Sequence, residues 1–366
     1  MTVLNDPLAA ALKLYSPLSS VSEAGALPIH THAVKPRRWL ISERSDFWFA
    51  SGGAASGLLA ALALIALYGD RELDWLDLVL SELHLGATYD AIVRRRLWRR
   101  LPVDVLVVPL AILLATYVLT TSGQSVLLTS IAMYAAIWHR GRQSLGIARF
   151  YQHQAGEPLS PVHRRLFAGA IYLPMAAAIF LYGYLAPENY EGEPYYAISA
   201  GAEIAWGLGL LACGWVVAYL VWPIGQNGRN HQSNVRQAQP ITTLHPGERW
   251  AVLAHAVAFG SAYVLGATNA SFLLVLAVHH EVQYLYFTYA MARRSMPSRN
   301  RGNFPGNPQS EFRFAASFAV WPLIGLAGAM SSGWYQIEWL APLGVGGLLC
   351  HYWLDGRIWT RRSMSG

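Results

Sequence analysis

The chain has 366 residues, of which 54% are hydrophobic and only 13% are charged. A soluble domain of ordinary composition carries about twice that charged fraction, so the composition excludes a large soluble domain. The formal net charge of +6 is compatible with nucleic-acid binding, but the positions of the basic residues exclude that function, as shown below. The two cysteines, Cys213 and Cys350, both lie in apolar segments and provide neither a disulfide framework nor a thiolate metal site.

Apolar segments of about 20 residues recur along the chain, and each is long enough to cross a bilayer. The prediction is an all-α, polytopic membrane protein, with a cytoplasmic tail over 1–46 and a ten-span membrane domain over 47–366. The N-terminus lacks a basic segment followed by an apolar core, so no cleaved signal peptide is predicted. The predicted spans are 47–68, 74–93, 101–121, 125–148, 164–186, 198–222, 249–267, 270–292, 312–331 and 337–360.

The basic residues predict the orientation of these spans. With the N-terminus in the cytoplasm, 26 of the 27 Lys and Arg residues fall on the cytoplasmic side, and Arg71 is the exception. By the positive-inside rule both termini are cytoplasmic, in a multi-pass cell-membrane protein of the bacterial inner-membrane type. The basic residues then meet lipid headgroups, and nucleic acid is excluded as a partner. Segments 47–148 and 249–360 share an orientation and a histidine placement, which predicts a four-helix repeat.

Histidines occur at one depth in four of the even-numbered spans. Arg94, Arg149 and Arg361 each follow a histidine by ten residues, and Arg293 follows His280 by thirteen. At 1.5 Å per residue, these histidines lie roughly 15–20 Å from the inner ends of their helices. The predicted metal ligands are His84, His139, His279 or His280, and His351.

A polar side chain follows each histidine by four residues, which places both on one helix face. Thr88, Gln143, Gln283 and Asp355 are these companions. Gln143 and Gln283 are predicted to be auxiliary cofactor-binding residues, and Asp355 either supports a histidine or binds the metal itself. Asp355 and Glu281 are the candidate catalytic carboxylates, with Glu281 expected to face another polar edge. Whether His279 or His280 points inward stays open, because Gln283 suits either one.

Imidazole with oxygen donors suits non-haem iron, as one or two ions, with zinc and haem as alternatives. The preferred hypothesis is an iron oxygenase, hydroxylase or desaturase acting on a lipid or isoprenoid substrate delivered by the membrane, with an electron-donor protein as a further partner. The alternatives are a zinc-dependent intramembrane hydrolase, a haem b protein and a transporter with a polar histidine pathway. By class the site is similar to membrane non-haem iron hydroxylases, but their HxxxH and HxxHH boxes are absent, so no family is assigned.

Overall fold

The computed structural model describes residues 39–68, 74–155, 160–190, 192–230, 245–294, 320 and 341–358. Within these ranges the chain is mostly helical, and its strands form one short antiparallel hairpin, in which β1 (Asn189–Tyr190) pairs with β2 (Glu193–Pro194). The described residues all belong to one compact unit. The α-helices are α1 (Glu43–Ala50), α2 (Gly52–Tyr68), α3 (Asp74–Arg94), α4 (Leu97–Arg100), α5 (Val108–Thr121), α6 (Ser125–Ala155), α7 (Pro161–Leu185), α8 (Ala202–Asn230), α9 (Pro246–Gly260), α10 (Leu273–Arg294) and α11 (Ala341–Ile358).

Helices occupy nine of the ten predicted spans, while the segment 312–331 lies outside the described residues except for Val320. Most of the predicted tail 1–46 also lies outside them. The predicted span 198–222 ended too early, because α8 continues to Asn230. A helix that begins inside an apolar segment extends past its end at little cost, since each added residue contributes one more hydrogen bond.

Three helical segments of the described chain are long and apolar enough to cross a membrane. They are Val103–Thr121, Pro161–Leu185 and the Ala202–Trp222 part of α8. Helices α1 and α2 meet the same criterion as a pair, but they are bent by 45° at Ser51, where a single straight span was predicted. The Ser51 hydroxyl donates to the Phe47 carbonyl at 2.7 Å, and two glycines follow immediately, which allows the chain to turn there.

The predicted spans 101–121 and 249–267 each contain a π-helical turn. Val103–Val107 is π-helical before α5, and Ser261–Leu265 is π-helical after α9. Pro109 stands at the start of α5 and has no N–H to donate to the turn before it, so the wider turn re-forms the backbone ladder.

Two glycines on α2 set how closely this helix packs against α10. A Cβ on Gly57 would lie 2.8 Å from the Cα of Val275, and one on Gly53 would lie 3.1 Å from the Cα of His279. Glycines four residues apart allow two helix backbones to approach this closely. The contact therefore fixes the rotation of α10 about its own axis, and with it the direction of the α10 side chains.

Candidate metal centre

Four imidazoles from four helices form one buried cluster. His84 lies on α3, His139 on α6, His280 on α10 and His351 on α11. The ring centroid of His84 lies 4.4 Å from that of His351 and 4.6 Å from that of His280. The ring centroid of His139 lies 4.8 Å from that of His280. All four side chains are at most 6% exposed. The sequence predicted one depth for these histidines, and the structure brings their rings into contact.

A carboxylate oxygen joins the cluster from the turn of α11 after His351. Asp355 Oδ2 lies 3.9 Å from His84 Nε2 and 3.8 Å from His139 Nε2. One ligand atom from each of His84, His139, His351 and Asp355 lies within 4.8 Å of all the others. Nitrogen ligands that sit about 2.0–2.1 Å from one ion are about 3–4 Å apart, so small side-chain movements would close these four atoms around a metal.

Thr88 connects the histidine and the carboxylate of α11. Its hydroxyl lies 3.0 Å from His351 Nδ1 and donates to Asp355 Oδ1 at 3.1 Å. The Tyr284 hydroxyl donates to the same Oδ1 atom and lies 2.8 Å from the Thr88 hydroxyl. These contacts hold Oδ1 from one side and leave Oδ2 directed at the cluster.

The same contacts favour one tautomer of His351. A hydroxyl has one hydrogen, and Thr88 donates it to the carboxylate, so the Thr88 oxygen accepts from His351 Nδ1–H. Neutral His351 then carries its lone pair on Nε2, which is buried and has no hydrogen-bond partner among the described residues. A metal-bound histidine typically has this arrangement, with one nitrogen held by a neighbouring polar group and the other available as a ligand.

A second carboxylate contacts the other side of His84. Glu281 Oε2 lies against His84 Nδ1, and one atom each of His84, His280 and Glu281 lies within 4.8 Å of the others. From the sequence, Glu281 was expected to face a separate polar edge. The structure instead places its buried carboxylate in the cluster. His84 also stacks on the Tyr284 ring, with centroids 3.9 Å apart, which fixes the plane of its imidazole.

His279 and Gln283 lie on the opposite face of α10. The ideal Cβ position of Gly53 is 3.6 Å from His279 Nδ1, so the His279 ring faces α2. Gln283 donates from Nε2 to the Ala50 carbonyl at 2.7 Å. Neither residue belongs to the ligand groups of the cluster, and successive residues on a helix point about 100° apart.

Gln143 lies beside the cluster but binds the protein backbone. Its Nε2 atom donates to the carbonyl of His280 at 2.8 Å, which ties α6 to α10 at the level of the histidines. Gln143 therefore positions α10 relative to α6. Thr88, another of the predicted polar companions, contacts both His351 and Asp355 directly.

Tyr284 also belongs to this site, although it was not among the candidate residues predicted from the sequence. It lies four residues after His280, the spacing that was used to find the other companions, and its ring and hydroxyl both contact the cluster. Tyr352 similarly stacks on His139, with centroids 4.4 Å apart. The spacing of four residues from His280 is therefore the sequence signal that points to Tyr284.

Apart from His279, four further described histidines have other surroundings, and one of them, His245, caps the N-terminus of α9. His255 Nε2 lies 3.0 Å from the Ile171 carbonyl, and His163 Nε2 lies 3.1 Å from Glu248 Oε1. His153, near the end of α6, is exposed. These histidines are not part of the buried cluster, and His30 and His32 lie outside the described residues.

No protein-family model matches this chain, and no curated protein or solved structure matches it significantly. The fold and the site define a mostly helical protein whose described part contains three helices that could cross a membrane and a buried histidine and carboxylate group that could hold a metal ion. The chemistry of this group therefore indicates what the protein does.

Proposed function

We propose that this protein is an integral membrane metalloenzyme, a non-haem iron oxygenase, hydroxylase or desaturase that acts on a lipophilic substrate. The observation that carries the proposal is the convergence of His84, His139, His351 and Asp355, each buried, with one ligand atom apiece within 4.8 Å. Buried polar atoms are costly unless they are paired, and a bound cation would satisfy the lone pair of His351 Nε2 and the charge of Asp355.

The number of ligands favours iron over zinc. Three histidines and one aspartate fill the four positions of tetrahedral zinc, which makes a closed site without room for the bound water of a hydrolase. Iron accepts further ligands, so the same four residues leave open positions on it for oxygen chemistry. The proposed iron would supply the one-electron and oxygen chemistry that side chains lack.

The spacing of the rings argues against haem. Two axial histidines must face each other across the macrocycle, and the remaining side chains must stay clear of its edge. Here the ring of His84 has two further imidazoles with centroids 4.4 Å and 4.6 Å away, those of His351 and His280. A porphyrin between any two of these rings would overlap the third.

The residues of the chain have separate tasks in this proposal. Thr88 and Tyr284 orient the Asp355 carboxylate, and Thr88 also holds the His351 tautomer. Stacking on Tyr284 and Tyr352 fixes the ring planes of His84 and His139. Burial of the whole group excludes bulk water, which protects the reactive centre from side reactions.

The membrane part of the proposal is a ten-span topology with both termini in the cytoplasm. It is supported by the three apolar helical segments and by the distribution of Lys and Arg. In the segment Val103–Thr121 only 6% of the apolar window is buried, as expected of a helix that faces lipid. The membrane would then deliver the lipophilic substrate, and an electron-donor protein would supply reducing equivalents from the cytoplasmic side.

The test is metal analysis of the detergent-solubilised full chain together with its absorption spectrum. We expect iron at about one or two per chain without the Soret band of haem. The iron-loaded protein is then incubated under ¹⁸O₂ with a reductant and a lipid extract, and the lipids are searched by mass spectrometry for ¹⁸O incorporation or for loss of two hydrogens. Zinc as the bound metal, a strong Soret band or a metal-free protein would each overturn the proposal.

A further inference from the structure

The cluster contains a second ligand group that the His84, His139, His351 and Asp355 set does not use. This group consists of His84, His280 and Glu281, whose ligand atoms lie within 4.8 Å of one another. All three side chains are buried. The two groups have one residue in common, His84.

The two nitrogens of His84 face different carboxylates. Nε2 lies 3.9 Å from Asp355 Oδ2, on the side of the first group, and Nδ1 lies against Glu281 Oε2, on the side of the second. An imidazole has one lone-pair direction on each nitrogen, and the two directions diverge in the ring plane. His84 is therefore placed between two positions that are each lined by nitrogen and oxygen donors.

His280 supplies the remaining donor of the second position. Its Nε2 lies 3.1 Å from His139 Nε2, and its Nδ1 is buried without a hydrogen-bond partner among the described residues. Gln143 donates a hydrogen bond to the backbone carbonyl of His280, which fixes the position of the His280 backbone on α10. A buried nitrogen of this kind is satisfied by a proton donor or by a metal ion.

Building on the proposed function, we propose that the centre binds two metal ions that share His84. The first ion lies between His84 Nε2, His139, His351 and Asp355, and the second lies between His84 Nδ1, His280 and Glu281. Binding of the second ion displaces the proton from His84 Nδ1 and releases it to solvent, so that the imidazole bridges the two ions. Glu281 must move slightly away from His84 to admit the ion, which its long and rotatable side chain allows.

The competing arrangement has one ion, with Glu281 as a hydrogen-bond acceptor that orients His84. The two arrangements differ in the number of ions and in their response to a neutral substitution. Glu281→Gln keeps the size of the side chain and an oxygen that accepts from His84 Nδ1–H, but it removes the anionic ligand. Glu281→Gln therefore weakens metal binding strongly if Glu281 is a ligand. It weakens metal binding little if Glu281 only orients His84.

The experiment measures metal stoichiometry in the full chain in detergent. The protein is stripped with a chelator and titrated anaerobically with Fe²⁺, and bound iron is measured after desalting against protein from amino-acid analysis. We expect two equivalents in the wild type, one in Glu281→Gln and two in the matched control Glu248→Gln. Glu248 is equally buried, but it contacts Tyr219, Gln152 and His163 instead of the cluster.

The outcomes separate this inference from the proposed function. One equivalent in the wild type overturns the second site while the iron enzyme stands, and so does a Glu281→Gln protein that retains two equivalents. No bound iron in the wild type overturns both. If Glu281→Gln does not fold, the wild-type stoichiometry still decides between one ion and two.

Discussion

The Nε2 atoms of His139 and His280 lie 3.1 Å apart, although 141 positions separate the two residues in the sequence. The two rings are nearly perpendicular, with an interplanar angle of 77°. At this distance one nitrogen donates a hydrogen bond to the other when no ion is bound. The contact joins α6 to α10 at the centre of the cluster, where Gln143 adds a second link between the same helices.

His351→Ala should strongly weaken binding of the ion held by His84, His139, His351 and Asp355, without unfolding the protein. The substitution deletes one of four converging ligands, and the loss of the imidazole leaves Thr88 with its contacts to Asp355 and Tyr284. We expect the affinity for this ion to fall at least about tenfold in competition with a chelator, since even the partners that support a ligand cost 10–100-fold in affinity when they are removed.

The matched control for His351→Ala is His153→Ala, because His153 is exposed near the end of α6. This variant should keep the wild-type metal content. Gel filtration and helical circular dichroism in detergent report folding for both proteins. Full metal occupancy in a folded His351→Ala protein would show that the cluster is not the metal site.

Thr88→Val should weaken metal binding while keeping the volume of the side chain. Without the hydroxyl, His351 Nδ1 loses its acceptor and Asp355 Oδ1 loses one of its donors. We expect about 10–100-fold weaker binding in competition with a chelator, because the tautomer and the carboxylate are no longer held. Thr88→Ser retains the hydroxyl and should stay within about threefold of the wild type. Equal affinity of the Val and Ser variants would contradict a role for the hydroxyl.

Gly57→Leu should destabilise the protein and disturb the metal centre from a distance. A side chain at this position meets the Val275 backbone, which cannot move unless α2 and α10 separate. Overpacking of this kind costs about 1–3 kcal/mol, and the shift of α10 would displace His280 and Glu281. Thermal unfolding in detergent and metal content are the two measurements.

Gly146→Ala is the control for the glycine substitution. A Cβ on Gly146 meets no atom within 4 Å, and the residue lies inside α6. Replacing a helical glycine with alanine in open space should raise stability by about 0.5–1 kcal/mol. If Gly57→Leu were as stable as Gly146→Ala, the close approach of α2 and α10 would not exist in solution.

Cysteine labelling in intact spheroplasts tests the proposed orientation. In a background with Cys213→Ser and Cys350→Ser, Glu188→Cys should react with a membrane-impermeant maleimide from outside, because residue 188 is exposed next to the β1–β2 hairpin. Arg99→Cys is exposed on α4 and should react only after lysis. Reversed labelling of the two positions would overturn the topology while leaving the metal centre unaffected.

The depth of the histidines could be predicted from the sequence because the rise of a helix per residue is constant. The count from His84 to Arg94, repeated from His139 to Arg149, placed two rings at one level without knowledge of any contact. The positions of the helices could also be predicted, because a long apolar segment in lipid must satisfy its backbone hydrogen bonds internally and therefore forms a helix. Composition and charge therefore determined the helical class and the level of the candidate site.

The direction in which each helix faces was decided by tertiary packing alone. His279 and His280 are neighbours in the sequence, and it is the contact of Gly53 and Gly57 with α10 that turns His279 towards α2 and His280 towards the cluster. The links from Thr88 to His351 and Asp355 likewise join residues 263 and 267 positions apart. Rotation about a helix axis changes no local backbone interaction, so only the neighbouring helices can fix it.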